Sequence, residues 1–412
     1  MIFDQKWHLP LAVLSAFLII FSRRPDAVLH PQFWAEDGRN WYADAYNQGL
    51  FYSLTTPEAG YYQSFSRIIG NIAAGIFPLS FGPAIFNFFA IAVQITVCLF
   101  ILSPRMRNLI PNIKLRIAAA AIYLVLPHSA EVFTNVTNSQ WHLALLCFLI
   151  IIASQSKTKA WKIFDISVFV ISAVSGPVCI LLIPVAVIKY FYRREKRLLP
   201  LGAILLVGAA IQIYGLLTSV RPIQTNLGAN AELFTRIVSR HLFASPLIGG
   251  RGYELIEKSG SAEIFIVVLI ALLGLGLTAY AFARSNLELR LFIIFSALIT
   301  AAALYSPAVT AEPGQWKVIA EHNTALRYWF IPNLAFFAVL GYLSCRSQLK
   351  FIRYAASVLL IVSAAGIVLD WRQPQLADKQ FYQHAAEFEQ APSGTTAVIP
   401  INPNWEMKLV KK

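Results

Sequence analysis

The chain has 412 residues, of which 57% are hydrophobic and only 13% charged, with a mean hydropathy of +0.59; this composition excludes an ordinary water-soluble domain and reads as a multi-spanning membrane protein. The formal net charge is +13, yet the basic residues fall in short clusters between apolar runs, where lipid headgroups account for them and no basic stripe is left for nucleic acid. Cys98, Cys147, Cys179 and Cys345 stand apart without CxxC or Cys/His spacing, which excludes a disulfide framework and a cysteine metal cage.

The opening stretch, MIFDQKWHLPLAVLSAFLIIFSRR, has one lysine before its apolar core and no small-residue cleavage site, so it reads as a retained first span. A crossing helix needs roughly 20 apolar residues, because the bilayer offers backbone groups no water. Eleven spans are predicted, at 8–22, 83–103, 114–128, 141–154, 162–175, 177–192, 198–220, 263–283, 290–306, 327–344 and 352–370, giving an all-α polytopic bundle over 1–370. The run 68–78, IIGNIAAGIFP, is short and predicts an interfacial or re-entrant helix. If it does not cross, the loops holding Arg105, Arg107, Lys114 and Arg116, then Lys157, Lys159 and Lys162, then Lys189 to Arg197, then Arg284 and Arg290, then Arg346 to Arg353 all share one side. The positive-inside rule makes that side cytoplasmic, with the amino terminus in and the carboxyl terminus out. Most acidic residues then face outward, in loops at 23–67, 129–140, 221–262 and 307–326 and in a short tail at 371–412 whose TTAVIPINPNW reads as a strand broken by prolines.

No apolar core carries a mid-span Asp, Glu, Lys or Arg. Ion-coupled transporters usually keep ionisable groups near the midplane, so chemistry is expected at the outer rim. The first outer loop opens with FWAEDGRNWYADAY, Phe33 to Tyr46, which sets three carboxylates among five aromatic rings. Pro31 precedes a predicted helix and Gly49 ends it. At 100° per residue Asp37, Trp41 and Asp44 share a face, while Glu36 points about a quarter-turn away. A carboxylate held at the lipid boundary has a raised proton affinity and can take a proton from an incoming hydroxyl; a solvated loop acid beside headgroup aromatics is the plainer reading.

This arrangement resembles the GT-C superfamily of membrane glycosyltransferases: a first span, a long outer loop opening with paired acids, then many spans whose outer loops close over the site. FWAEDG looks like the form of this signature in uncharacterised bacterial members. The resemblance implies that Asp37 is the catalytic base, with Glu36 as its neighbour, and that the donor is a polyprenyl-phosphate sugar. Two further stretches look like the same relatives. HSAEVFTNVTNSQWHL, His128 to Leu143, offers Glu131, Asn135, Asn138, Gln140 and His142 to sugar hydroxyls and Trp141 to a pyranose face. EHNTALRYWFIPNLAFF, Glu321 to Phe337, places Arg327 where an outer loop enters a span, suited to a lipid phosphate, with Tyr328, Glu321 and His322 beside it.

The partners implied are the lipid-linked donor, a glycan or lipid acceptor, and the lipids of the cytoplasmic membrane. Some members of the superfamily use a divalent cation, Mg or Mn, for which Asp37 with Asp44 or Glu131 would be the oxygen ligands. Arg236, Arg240 and His241 stand at helical spacing and read first as the solvated face of a surface helix, with the lining of a phosphate or glycan groove as the alternative, and GGRG at Gly249 to Gly252 lacks the strand and helix of a phosphate loop. Two rival functions are a lipid-linked glycan flippase and a non-catalytic envelope-assembly subunit.

Overall fold

The structure is a computed structural model and describes residues 8–219, 226–310, 312–321 and 323–412. Each of the eleven predicted spans falls on a helix. Six helical stretches are long and apolar enough to cross a membrane: Leu79–Leu102, Leu198–Thr218, Glu263–Arg284, Leu287–Tyr305, Leu326–Arg346 and Lys350–Leu369. The other five predicted spans are shorter helices, His8–Arg23, Ile113–Val125, Ser139–Ile152, Lys159–Ala173 and Val178–Arg193, of 13 to 16 residues. At about 1.5 Å per residue they cover roughly 20–24 Å, less than the ~30 Å of a bilayer core. Early stops explain the shortfall. Three of these helices end before their predicted spans do, at Val125, Ile152 and Ala173, while Asn112 and Thr158 cap two of their starts by accepting the backbone N–H groups of Lys114 and Trp161. The Ser139–Ile152 helix is buried along its whole length, so it is a central post of the bundle with no face to show to lipid.

The run predicted to stop short of crossing forms the 13-residue helix Ser64–Ile76, again below spanning length. It packs on the first long loop so closely that a Cβ at Gly70 would lie 2.2 Å from the Trp41 carbonyl oxygen. Only glycine permits that approach. In the loop itself, Asp37–Tyr42 winds as a π-helix and runs into the helix Ala43–Gln48, which Gly49 ends at φ 84°.

The carboxyl-terminal tail is more ordered than a broken strand. Helix Phe381–Gln390 precedes two antiparallel strands, β1 (Thr396–Ile401) and β2 (Trp405–Val410), in the register Ile401 opposite Trp405. Ile399, Ile401, Met407, Leu409, Phe381 and Phe388 bury their side chains against Phe33, Trp41, Tyr42 and Ile69, so the tail shares one core with the acidic loop. Backbone bonds tie the two together: Ala35 N donates to Asn402 O at 2.6 Å, and Asn402 N to Phe33 O at 3.2 Å.

The two ends of the bundle are built differently. Around the turn at residues 150–154, Lys189 Nζ donates to Ile152 O at 3.0 Å and lies 3.6 and 3.8 Å from Glu195 and Glu288. Arg197 donates to the carbonyls of Ile150, Ile151 and Ala153, and Arg105 pairs with buried Asp165. At the opposite end, Arg23 closes the first helix by donating to Leu124 O at 2.7 Å and Leu126 O at 3.1 Å, next to a large cavity.

Candidate functional site

The paired acids point to different surroundings. Asp37 is 2% exposed; its Oδ1 accepts from Thr137 N at 3.1 Å and from Thr137 Oγ1 at 2.7 Å. The Thr137 hydroxyl in turn accepts Trp41 Nε1–H at 2.8 Å, so Trp41 fixes the rotor that donates to Asp37. Burial pushes the Asp37 carboxyl up from 3.8 to about 7, against the opposing pull of the Thr137 hydrogen bonds, and the charge of Glu36 adds to the rise. Glu36 is only half-buried. Burial raises its proton affinity too, and the charges that act on it are Arg327, Glu131 and Glu58.

Arg327 stands at the first turn of the Leu326–Arg346 helix, as expected, but its guanidinium is engaged by the protein. It pairs with Glu131, donates through Nη2 to Ala308 O at 2.7 Å, and lies 4.8 Å from the Tyr328 ring centroid. The backbone N of Arg327 donates to the second Glu131 oxygen at 3.1 Å, so Glu131 also caps the helix start. Glu131 joins the two predicted stretches and lies within electrostatic reach of Glu36.

Other predicted residues serve the scaffold. His142 is fully buried between Tyr123 OH at 2.8 Å and Val132 O at 2.7 Å. The carbonyl can only accept, so Nε2 carries the proton and Nδ1 accepts from the tyrosine; neither nitrogen is left for a sugar. Trp141 is 6% exposed and packs edge-on against Tyr328 at 5.9 Å, which leaves no face for a pyranose. Asn138 donates to Glu131 O and Asn135 Oδ1 accepts Asn138 N, fixing the loop, while Gln140 points to Thr137 O. Asp44 accepts from buried Arg67 at 2.8 Å, and Arg67 lies 4.8 Å from the Trp41 ring centroid. His322 lies outside the described residues.

Among the described residues no three His, Cys, Asp or Glu side chains converge as cation ligands. Asp44 is tied to Arg67 and Glu131 to Arg327, so these acids do not gather around Asp37. Arg240 and His241 are buried rather than on a surface face: Arg240 pairs with Glu257, and His241 Nε2 donates to Ile319 O at 2.7 Å.

Beside Glu131 opens a cavity of about 620 Å³. Its wall includes Arg23, Arg24, Arg251 and Arg372, together with Trp34 and Asn135. Protein-family models and curated proteins contain no match to this chain. The cavity, Thr137 and the tail wall around Asn402 were missed from sequence. Arg23 and Arg24 only end the apolar opening stretch in the sequence, and Thr137 stands inside HSAEVFTNVTNSQWHL with no role assigned to it.

Chemically, the site couples two carboxylates of raised proton affinity to a guanidinium–carboxylate pair, beside a cationic cavity sized for a small molecule. Such a group can hold a polar substrate and accept a proton from it.

Proposed function

We propose that the chain is a polytopic membrane glycosyltransferase of GT-C type that moves a sugar from a polyprenyl-phosphate carrier to an acceptor hydroxyl at the outer face of the cytoplasmic membrane. The observation that carries the reading is the Glu36–Asp37 pair: two adjacent acids, both of raised proton affinity, at the bundle end that holds a cavity. Of the two, Glu36 is the carboxylate left open toward Arg327 and Glu131. In this reading Glu36 takes the acceptor proton. Asp37, pinned by Thr137, fixes the turn that presents it and titrates together with it.

The deprotonated hydroxyl attacks the anomeric carbon from the side opposite the phosphate, the carbon–phosphate oxygen bond breaks, and the configuration inverts. Inversion of this kind uses one base and no covalent sugar–enzyme intermediate. The Arg327–Glu131 pair lies close enough to Glu36 to steady charge developing at the leaving phosphate. Eleven crossings, with the amino terminus inside, belong to the same proposal. The aromatic residues of the loop keep water from competing as acceptor.

The test is sugar transfer from polyprenyl-phosphate donors by the full chain reconstituted in vesicles. Loss of a general base lowers rates by about 10²- to 10⁴-fold, so Glu36→Gln is expected to lose at least a hundredfold at every pH, and Asp37→Asn to keep some transfer with an altered pH profile. If Asp37→Asn alone abolishes transfer while Glu36→Gln is tolerated, Asp37 is itself the base. Full transfer by both variants, at normal protein level, removes the acid pair as the base, and no transfer by the parent chain removes the transferase reading.

A further inference from the structure

The cavity beside Glu131 has a charge that the transfer mechanism does not use. Arg23, Arg24, Arg251 and Arg372 contribute four positive charges to its wall, against the carboxylates of Glu131 and Asp370. Glu131 is already neutralised by Arg327. One Asp370 oxygen is held by two backbone donors, His128 N and Gly250 N, each at 2.9 Å. Among the described residues neither Arg251 nor Arg372 forms an ion pair, and both are exposed.

Two buried polar atoms in the same wall also lack partners among the described residues. Arg24 is 9% exposed; its Nη1 donates to Phe133 O at 3.3 Å, but its Nε has no hydrogen-bond acceptor, since Asp26 lies 3.9 Å away. Gln373 is 6% exposed, and its Oε1 has no donor among the described residues. A buried donor or acceptor left unpaired is costly, because it has given up water for nothing. A ligand carrying both an anionic group and hydroxyls offsets that cost, and Trp34 supplies an indole edge or face to a sugar ring in the same wall. The volume of about 620 Å³ lies in the range of small-molecule sites.

We propose that this cavity binds an anionic saccharide, one bearing a phosphate or a carboxylate, and that, on the transferase reading, this is the acceptor. Placement supports the second part. Trp34 stands two residues before Glu36, and Glu131 both lines the cavity and acts electrostatically on Glu36. A sugar anchored by its anion at the arginines therefore directs its far hydroxyls toward the acidic pair. The tail lines the cavity through Arg372, Gln373, Asn402 and Pro403, which makes residues 371–412 part of acceptor recognition.

The test is calorimetric titration of the full chain in phosphatidylcholine nanodiscs with glucose 6-phosphate, glucuronic acid and glucose. The anionic sugars are expected to bind and glucose to bind at least tenfold more weakly. The double variant Arg251→Gln/Arg372→Gln, at exposed positions, is expected to weaken anion binding by about tenfold or more, as loss of charge-assisted hydrogen bonds implies, while Arg251→Lys/Arg372→Lys retains most of it. Equal binding of glucose, or unchanged binding by the double glutamine variant, overturns the site. Displacement of glucose 6-phosphate by farnesyl phosphate assigns the cavity to the carrier headgroup and overturns the acceptor role. Binding is read without turnover, so a chain that binds glucuronate but transfers no sugar keeps the site and loses only the transferase reading.

Discussion

The two ends of the helical bundle use the same kinds of residue to opposite effect. Around residues 150–154, Lys189, Arg197 and Arg105 are each met by a carboxylate, a carbonyl or both, and Asp165, Glu195 and Glu288 are all paired. At the other end, among the described residues, two carboxylates are buried or half-buried without a direct cationic partner and two cavity arginines form no ion pair. Charge that is fully matched serves architecture. Charge left unmatched beside a cavity is what a ligand can complete.

That contrast can be broken by mutation, and the largest effect belongs to the matched end. Arg105→Ala leaves Asp165 buried without its partner, both side chains being 6% exposed, and is expected to destabilise the protein by about 3–5 kcal/mol. Arg372→Gln at the cavity rim is expected to change stability by less than about 0.5 kcal/mol. Thermal or denaturant unfolding of the two variants side by side checks the pair; comparable losses would erase the distinction between the ends.

A second test sharpens it through pH. The Asp37 carboxyl is raised to about 7 in the folded chain, above its ordinary 3.8. The native state therefore holds this proton more tightly than the unfolded chain, and the stability it contributes is present below about pH 4 and lost as pH rises toward about 7. Asp37→Asn has no such proton to lose. Its melting temperature relative to the parent is expected to improve from pH 5 to pH 8. A constant difference across that range would mean that Asp37 titrates as an ordinary exposed acid.

Much of this was legible in the chain, for reasons that can be named. Long apolar runs define helices whatever surrounds them, so each of the eleven runs falls on a helix, six helical stretches being long and apolar enough to cross a membrane, and FWAEDG marked the acidic pair because charge is costly beside a bilayer. Helix length was less legible, since the stops at Val125, Ile152 and Ala173 and the burial of Ser139–Ile152 are tertiary facts. The role of each acid was hidden as well. Regular helical geometry places Asp37 with Trp41, and both do meet at Thr137, but Thr137 is a hundred residues away in sequence. The cavity was hidden most completely, because its wall gathers Arg24, Glu131, Arg251 and Arg372 from four separate segments.

The smallest expected effect concerns that hidden contact. Thr137→Val removes the hydroxyl that donates to Asp37 Oδ1 but keeps the backbone bond and the side-chain volume. The hydroxyl bond favours the charged carboxylate, so its loss is expected to move Asp37 protonation to still higher pH, with Thr137→Ser restoring the parent value. Labelling of Asp37 by a hydrophobic carbodiimide, followed across pH by mass spectrometry, reads this directly. An unchanged midpoint would show that Thr137 only packs.

The claim on which the rest depends is that the acidic end consumes a lipid-linked sugar. Lipid mass spectrometry of cells lacking the chain tests it most directly: a polyprenyl-phosphate sugar is expected to accumulate, to fall on re-expression of the parent chain, and to remain high with the double variant Glu36→Gln/Asp37→Asn at equal protein level. Unaltered lipid-linked sugars in the deletion, or full correction by the double variant, would contradict it.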